Sequence, residues 1–148
     1  FKAERLSEQL GYRFLTDLRQ ASTASDPVEL TYRFPASGPT MRVRLLPSTP
    51  AELISAKGYP NQAGHRRNVL ITRRNGTNVD FVTVMSVDGV AKVRSVQRLT
   101  DLPPGLLGVR INRSRDGTVL VISAEQPGTY TVAGRTFTGQ IALIRPSR

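Results

Sequence analysis

Val69-Leu70-Ile71-Thr72-Arg73-Arg74-Asn75-Gly76-Thr77-Asn78-Val79-Asp80-Phe81-Val82-Thr83-Val84-Met85 carries the strongest local signal in the chain. Two apolar, β-branched runs flank Asn75-Gly76, a pair suited to a type I′ turn because both central residues need positive φ. The stretch reads as a β-hairpin. Upstream, Val28, Leu30, Tyr32 and Phe34 alternate with Glu29, Thr31 and Arg33, and Met41, Val43 and Leu45 alternate with Arg42 and Arg44. Period two of this kind marks half-buried strands. Pro35, Gly38 and Pro39 punctuate the gap between them.

Downstream the pattern continues. Asp88-Gly89 suggests a second hairpin leading into 90–99, and Asp116-Gly117 a third between 107–112 and 118–124. Pro127-Gly128 and Ala133-Gly134 punctuate the last stretch, which closes on Gln140-Ile141-Ala142-Leu143-Ile144. Val119–Ile122 and Ile141–Ile144 are unbroken apolar runs, expected to be central strands covered on both faces. Helix signals are short: Ala3–Leu10, stopped by Gly11, and one turn starting at Thr49-Pro50. The expectation is an all-β fold, an antiparallel two-sheet β-sandwich of roughly nine or ten strands with little helix. No linker divides it, so residues 1–148 read as a single domain.

Composition narrows the function. In 148 residues Lys and Arg total 21 against 11 Asp and Glu, a net charge of +10. Only Lys2, Lys57 and Lys92 are lysines, and the rest are arginines, whose planar forks grip carboxylate, sulfate or phosphate with two bonds. The charge points to polyanionic partners. There is no cysteine, which removes disulfides, thiolate metal sites and cysteine nucleophiles. No apolar run reaches the roughly 20 residues of a membrane-spanning helix.

Catalytic patterns are missing. His65 is the single histidine, with Glu52 its nearest acid in sequence, so no zinc set or Ser-His-Asp arrangement assembles from this chain. Phosphate loops and dinucleotide-binding glycine patterns are absent, and no cofactor is expected. No carboxylate pair stands out, since Asp88 and Asp116 serve turns and Asp26 precedes Pro27. The candidate ligand-binding residues are therefore cationic: Arg42 and Arg44 on one strand, and His65, Arg66, Arg67, Arg73 and Arg74 bracketing another. Lys92, Arg94 and Arg98 fall at even spacing, which places them on one face of a third strand. Nucleic acid is the poorer partner: aromatic residues are 6% with no tryptophan, and no recognition helix or aromatic RNA-binding run is present. Tyr59 and Tyr130 are the aromatics expected to be exposed.

Five segments in order carry a family resemblance. They are Gly11-Tyr12-Arg13-Phe14-Leu15-Thr16-Asp17-Leu18, Leu45-Leu46-Pro47, Arg67 through Gly76, Asp80-Phe81-Val82-Thr83-Val84, and Phe137-Thr138-Gly139-Gln140-Ile141-Ala142-Leu143-Ile144-Arg145. Together they resemble the C-terminal β-sandwich region of heparinase II/III-like polysaccharide lyases, over nearly the whole chain. In that family an α/α-toroid precedes stacked antiparallel sandwiches, and the enzymes cleave uronate-containing polysaccharides by β-elimination. The resemblance implies a non-catalytic part of a secreted or periplasmic lyase that frames or binds acidic polysaccharide. It implies too that the catalytic domain lies upstream in the same polypeptide, as a chain starting at Phe1 would allow. The family's proton-transferring tyrosine and histidine lie mainly in the toroid, so no catalytic residue carries over. Met85-Ser86-Val87-Asp88 departs from the acid and proline that often follow the family's Phe-Val-Thr-Val. Two further readings stay open: a packing module without its own ligand, and a basic nucleic-acid-binding module.

Overall fold

The computed structural model describes residues 2–3, 15–23, 27–33, 38–58, 67–77, 79–87 and 92–146. Among the described residues eleven strands follow one another: β1 (Lys2–Ala3), β2 (Thr16–Thr23), β3 (Val28–Arg33), β4 (Thr40–Leu45), β5 (Ala51–Gly58), β6 (Arg67–Arg73), β7 (Thr83–Val87), β8 (Val93–Arg98), β9 (Leu106–Arg113), β10 (Gly117–Val132) and β11 (Arg135–Ile144). Every pairing is antiparallel, and no helix occurs among the described residues. The fold is all-β, as the alternation requires, and consistent with β-sandwich construction. Its strands lie in three sheets, ordered β1-β2-β5-β6, β3-β4-β7 and β11-β10-β9-β8.

The chain forms two compact units, each built from two separate stretches. The first holds residues 1–26 and 47–82, the second 27–46 and 83–148. The chain passes from one to the other three times.

In the first unit, β5 pairs with β2 on one side and β6 on the other. Leu18, Ile54 and Ala56 are buried together, with Leu15, Val69 and Ile71 against them. The expected helical turn at Thr49-Pro50 does not form: residues 51–58 are strand β5. Leu53, Ile54 and Ala56 are buried there, and β partners on both sides outweigh a local start signal.

The Asn75-Gly76 hairpin also fails to form. Strand β6 pairs with β5 and β7 with β4, so the two runs belong to different sheets. The loop is held instead by the buried Arg74 side chain. Its guanidinium donates to the Asp80 carbonyl at 2.7 Å, to Ser48 Oγ at 2.9 Å and to Thr49 Oγ1. Strands β7 and β8 likewise pair with β4 and β9 rather than with each other, and the Asp88-Gly89 turn lies outside the described residues.

In the second unit, the Asp116-Gly117 hairpin joins β9 to β10 as expected, with Gly117 at φ 71°. Ala133-Gly134 makes a two-residue connection from β10 to β11, both residues at positive φ (50° and 71°), the conformation of a type I′ turn. Pro127-Gly128 sits inside β10, where the register with β11 shifts between Ser123 and Gly128. That irregularity bends the hairpin, so Val132 and Phe137 join Leu120, Ile122 and Ile144 in one cluster with Leu99, Leu102 and Leu106. Gly108 makes room for it: a Cβ there would lie 2.6 Å from Leu102 and 2.9 Å from Leu99.

The two apolar runs differ in fate. Val119–Ile122 is central, with Ile122 fully buried, as expected. Ile141–Ile144 is not covered on both faces: β11 is an edge strand, and Ile141 and Leu143 are 73% and 72% exposed. Composition alone does not separate a central strand from an edge strand whose outward residues await cover.

Candidate functional site: a cationic cleft on the second unit

Strand β4 stands between β3 and β7, and its alternation puts Arg42 and Arg44 on one face and Met41, Val43 and Leu45 on the other. Register brings Glu29 of β3 opposite Arg44, and Ser86 of β7 opposite Arg42. On the apolar face Val43 and Leu45 are buried, and burial pushes the Tyr32 phenol above its ordinary pKa.

Arg44 is buried, only 6% exposed as a whole residue. Its Nε lies 2.8 Å from Glu29 Oε2, and its two terminal nitrogens donate to Ser86 Oγ at 3.4 Å and to the Val93 carbonyl at 3.3 Å. A buried guanidinium needs such partners for its whole fork, since an unmatched buried charge is costly. Arg42, 44% exposed at its side chain, reaches the other oxygen of Glu29 at 3.4 Å. Glu29 thus fixes two arginines side by side.

Lys92 and Arg94 complete the surroundings. With Val87 and Val93 they close a cleft of about 320 Å³ around Glu29, Arg42, Arg44 and Ser86. Both are exposed. Arg94 is the extra residue where the register of β8 against β9 slips between Val93 and Ser95. A bulge of this kind re-aims a side chain. Arg98 is half-buried and donates to the Leu46 carbonyl.

The cleft carries four cations against one carboxylate. Concave walls with one sign of charge concentrate counter-ions, so an anion is the ligand this arrangement suits. Its one carboxylate, Glu29, is held by two guanidiniums. Among the described residues no group of three His, Asp or Glu could hold a metal ion. No helix there is long and apolar enough to cross a membrane.

The remaining sequence candidates lie elsewhere. His65 and Arg66 fall outside the described residues, as does Tyr59. Arg67, Arg73 and Arg74 are on the first unit, so they do not line this cleft. Arg67 is exposed at the start of β6. Arg73 pairs with Glu52, directly across the β5–β6 ladder, at 2.5 Å. Arg74 has its side chain only 3% exposed and its two terminal nitrogens engaged within the protein, which leaves little of it for a ligand. Tyr130, expected to be exposed, is half-buried: its ring lies 5.6 Å from Phe137 and its hydroxyl donates to the Gln126 carbonyl.

Glu29 and Ser86 were not legible as site residues. Only cross-strand register brings them to Arg42 and Arg44, and the alternating Glu29-Leu30-Thr31 pattern was the signal for the strand alone. In comparisons with known proteins, no family, no curated protein and no solved structure matches this chain.

Proposed function

We propose that this chain is a non-catalytic β-domain that binds an acidic polysaccharide, with uronate carboxylates or sulfates seated in the cleft between Arg42, Lys92 and Arg94. The reading rests on one observation: exposed Lys92 and Arg94 flank an arginine pair already ordered by Glu29. Arginine ordered beforehand loses less conformational freedom when it grips an anion, and its fork suits carboxylate and sulfate. The sequence resemblance gives the same reading a context, in which the domain is the C-terminal sandwich of an exported heparinase II/III-like lyase. The bond-breaking groups then belong to an upstream domain of that polypeptide. Duplex or single-stranded nucleic acid fits less well, because none of the described residues lining the cleft is an aromatic that could stack a base.

Titration with heparin, alginate and hyaluronan at low salt, beside single-stranded DNA of equal charge, tests this. Tighter binding of at least one uronate polymer is expected. Failure to bind any of them refutes it. A second reading, a packing module without its own ligand, is favoured by exposed Met85 (65%) and Val87 (45%) on edge strand β7.

A further inference from the structure

Two edge strands of the second unit lack charge and proline, β7 throughout its five residues and β11 from Thr136 onward, and β11 offers the longer run. Protein edges are ordinarily blunted by charge, proline or bulges. Edge strand β3 carries Glu29 and Arg33, β6 carries Arg67 and Arg73, and β8 carries Arg94 and Arg98. Strand β11 has no charged residue and no proline from Thr136 to Ile144, and among the described residues it pairs with β10 alone. Gly139, at φ 129°, and the register shift beside it interrupt the strand, which leaves Ile141–Ile144 as the stretch in regular register with β10.

The side chains beside that edge are apolar and uncovered. Ile141 stands opposite Ser123 and Leu143 opposite Val121, so both project from one face of the sheet. On that same face Val96, Val109 and Val119 are buried, while Ile141 and Leu143 are 73% and 72% exposed. The cover of this face ends one strand short.

We propose that β11 is a homodimer interface, in which Gln140–Ile144 of two copies pair antiparallel about a two-fold axis through Ala142. The register is self-complementary. Ile141 of each copy falls opposite Leu143 of the other, on the same face, and four exposed aliphatic side chains become one cluster. Gln140 meets Ile144, and Arg145 meets Gly139, which has no side chain to repel it. The two Arg145 side chains stand six residue steps apart, about 20 Å along the strands, beyond the Debye length at physiological salt. Backbone N–H and C=O groups of both edges become paired, and the sheet grows from four strands to eight. The axis makes the contact isologous and closed, so it stops at two copies.

Two strands alone bury less than the roughly 1,200 Å² of a standard stable interface, so the dimer is weak and concentration-dependent. Each copy also carries +10, and salt therefore strengthens the dimer by screening repulsion. That sign is opposite to the salt dependence of polyanion binding, so this proposal and the preceding one fail independently.

Sedimentation velocity of the full chain, from about 1 µM to about 1 mM at high salt, tests it. A shift from monomer to dimer is expected, with Leu143→Lys and Ile141→Lys each moving the midpoint at least tenfold upward. Circular dichroism of the variants confirms that exposed substitutions leave the fold intact. The chain has no cysteine, so Ala142→Cys supplies a single thiol on the axis, where opposed Cα atoms fall within disulfide reach. It is expected to cross-link faster on mild oxidation than Thr100→Cys, an exposed control. A monomer throughout the range overturns the proposal and leaves the edge to a strand of a different polypeptide. A dimer indifferent to Leu143→Lys, or no advantage of Ala142→Cys over the control, overturns it as well.

Discussion

Replacing Lys92 and Arg94 together by glutamine isolates the cleft from the general charge of the chain. Both side chains are exposed, so the double variant is expected to fold normally, with stability within about 0.5 kcal/mol per site. In the native protein three outward cations, Arg42, Lys92 and Arg94, meet a polyanion. Each contact releases condensed counter-ions and contributes about 0.7–0.9 to the slope of log affinity against log salt, by analogy with nucleic acids. Three contacts give a slope of about −2 to −3, so a fourfold rise in salt, from about 50 to about 200 mM, weakens binding about 20- to 40-fold. With Arg42 alone remaining, the same rise costs only about threefold. Calorimetric titration of a size-defined heparin oligosaccharide at several salt concentrations reads both slopes. The control is Arg110→Gln with Arg115→Gln, which removes the same formal charge from two exposed positions outside the cleft. If control and test variants flatten the salt dependence equally, binding is spread over the surface and the cleft is not the site.

Other perturbations probe the framework. Gly108→Ala would set a Cβ 2.6–3.0 Å from Leu102, Leu99 and Ile122 in the packed cluster, and is expected to cost about 1–3 kcal/mol. Thermal denaturation should show this as a drop in Tm of about 2–12 °C. Ala133→Asn is expected to stabilise the protein by about 0.5–1 kcal/mol, since asparagine tolerates the φ of 50° that alanine holds at a cost. Chemical denaturation measures the gain. Tyr32, its pKa raised from 10.0 by burial, binds its proton more tightly folded than unfolded. Its contribution is therefore complete below pH 10 and lost as the pH climbs through the raised value. Denaturation midpoints should fall over that alkaline interval, and less steeply in Tyr32→Phe.

The fold class was legible because alternation reports directly on side-chain placement. Val28–Arg33 and Thr40–Leu45 are strands where the pattern put them, and Asp116-Gly117 turns where its chemistry requires. Partner choice was not legible. Asn75-Gly76 permits a tight turn but cannot compel one, because Arg74 has better use for its donors in Ser48, Thr49 and Asp80. The turn that does take two residues at positive φ is Ala133-Gly134, whose first residue gives little warning of it. The cleft was half legible. Arg42 and Arg44 share a face by period two, whereas Glu29 arrives through cross-strand register and Arg94 through a bulge that no spacing rule exposes.

The irregularity between Ser123 and Gly128 has a kinetic consequence. By folding the far end of its own hairpin onto the sheet, β10 gathers a complete apolar nucleus from Leu99 to Ile144, fewer than a third of the residues. Low sequence separation makes such a nucleus quick to close. Amides of β9, β10 and β11 should be the first to acquire protection from exchange during refolding. The stretch at 27–46 would then arrive late, docking its strands after the C-terminal third of the chain has already organised.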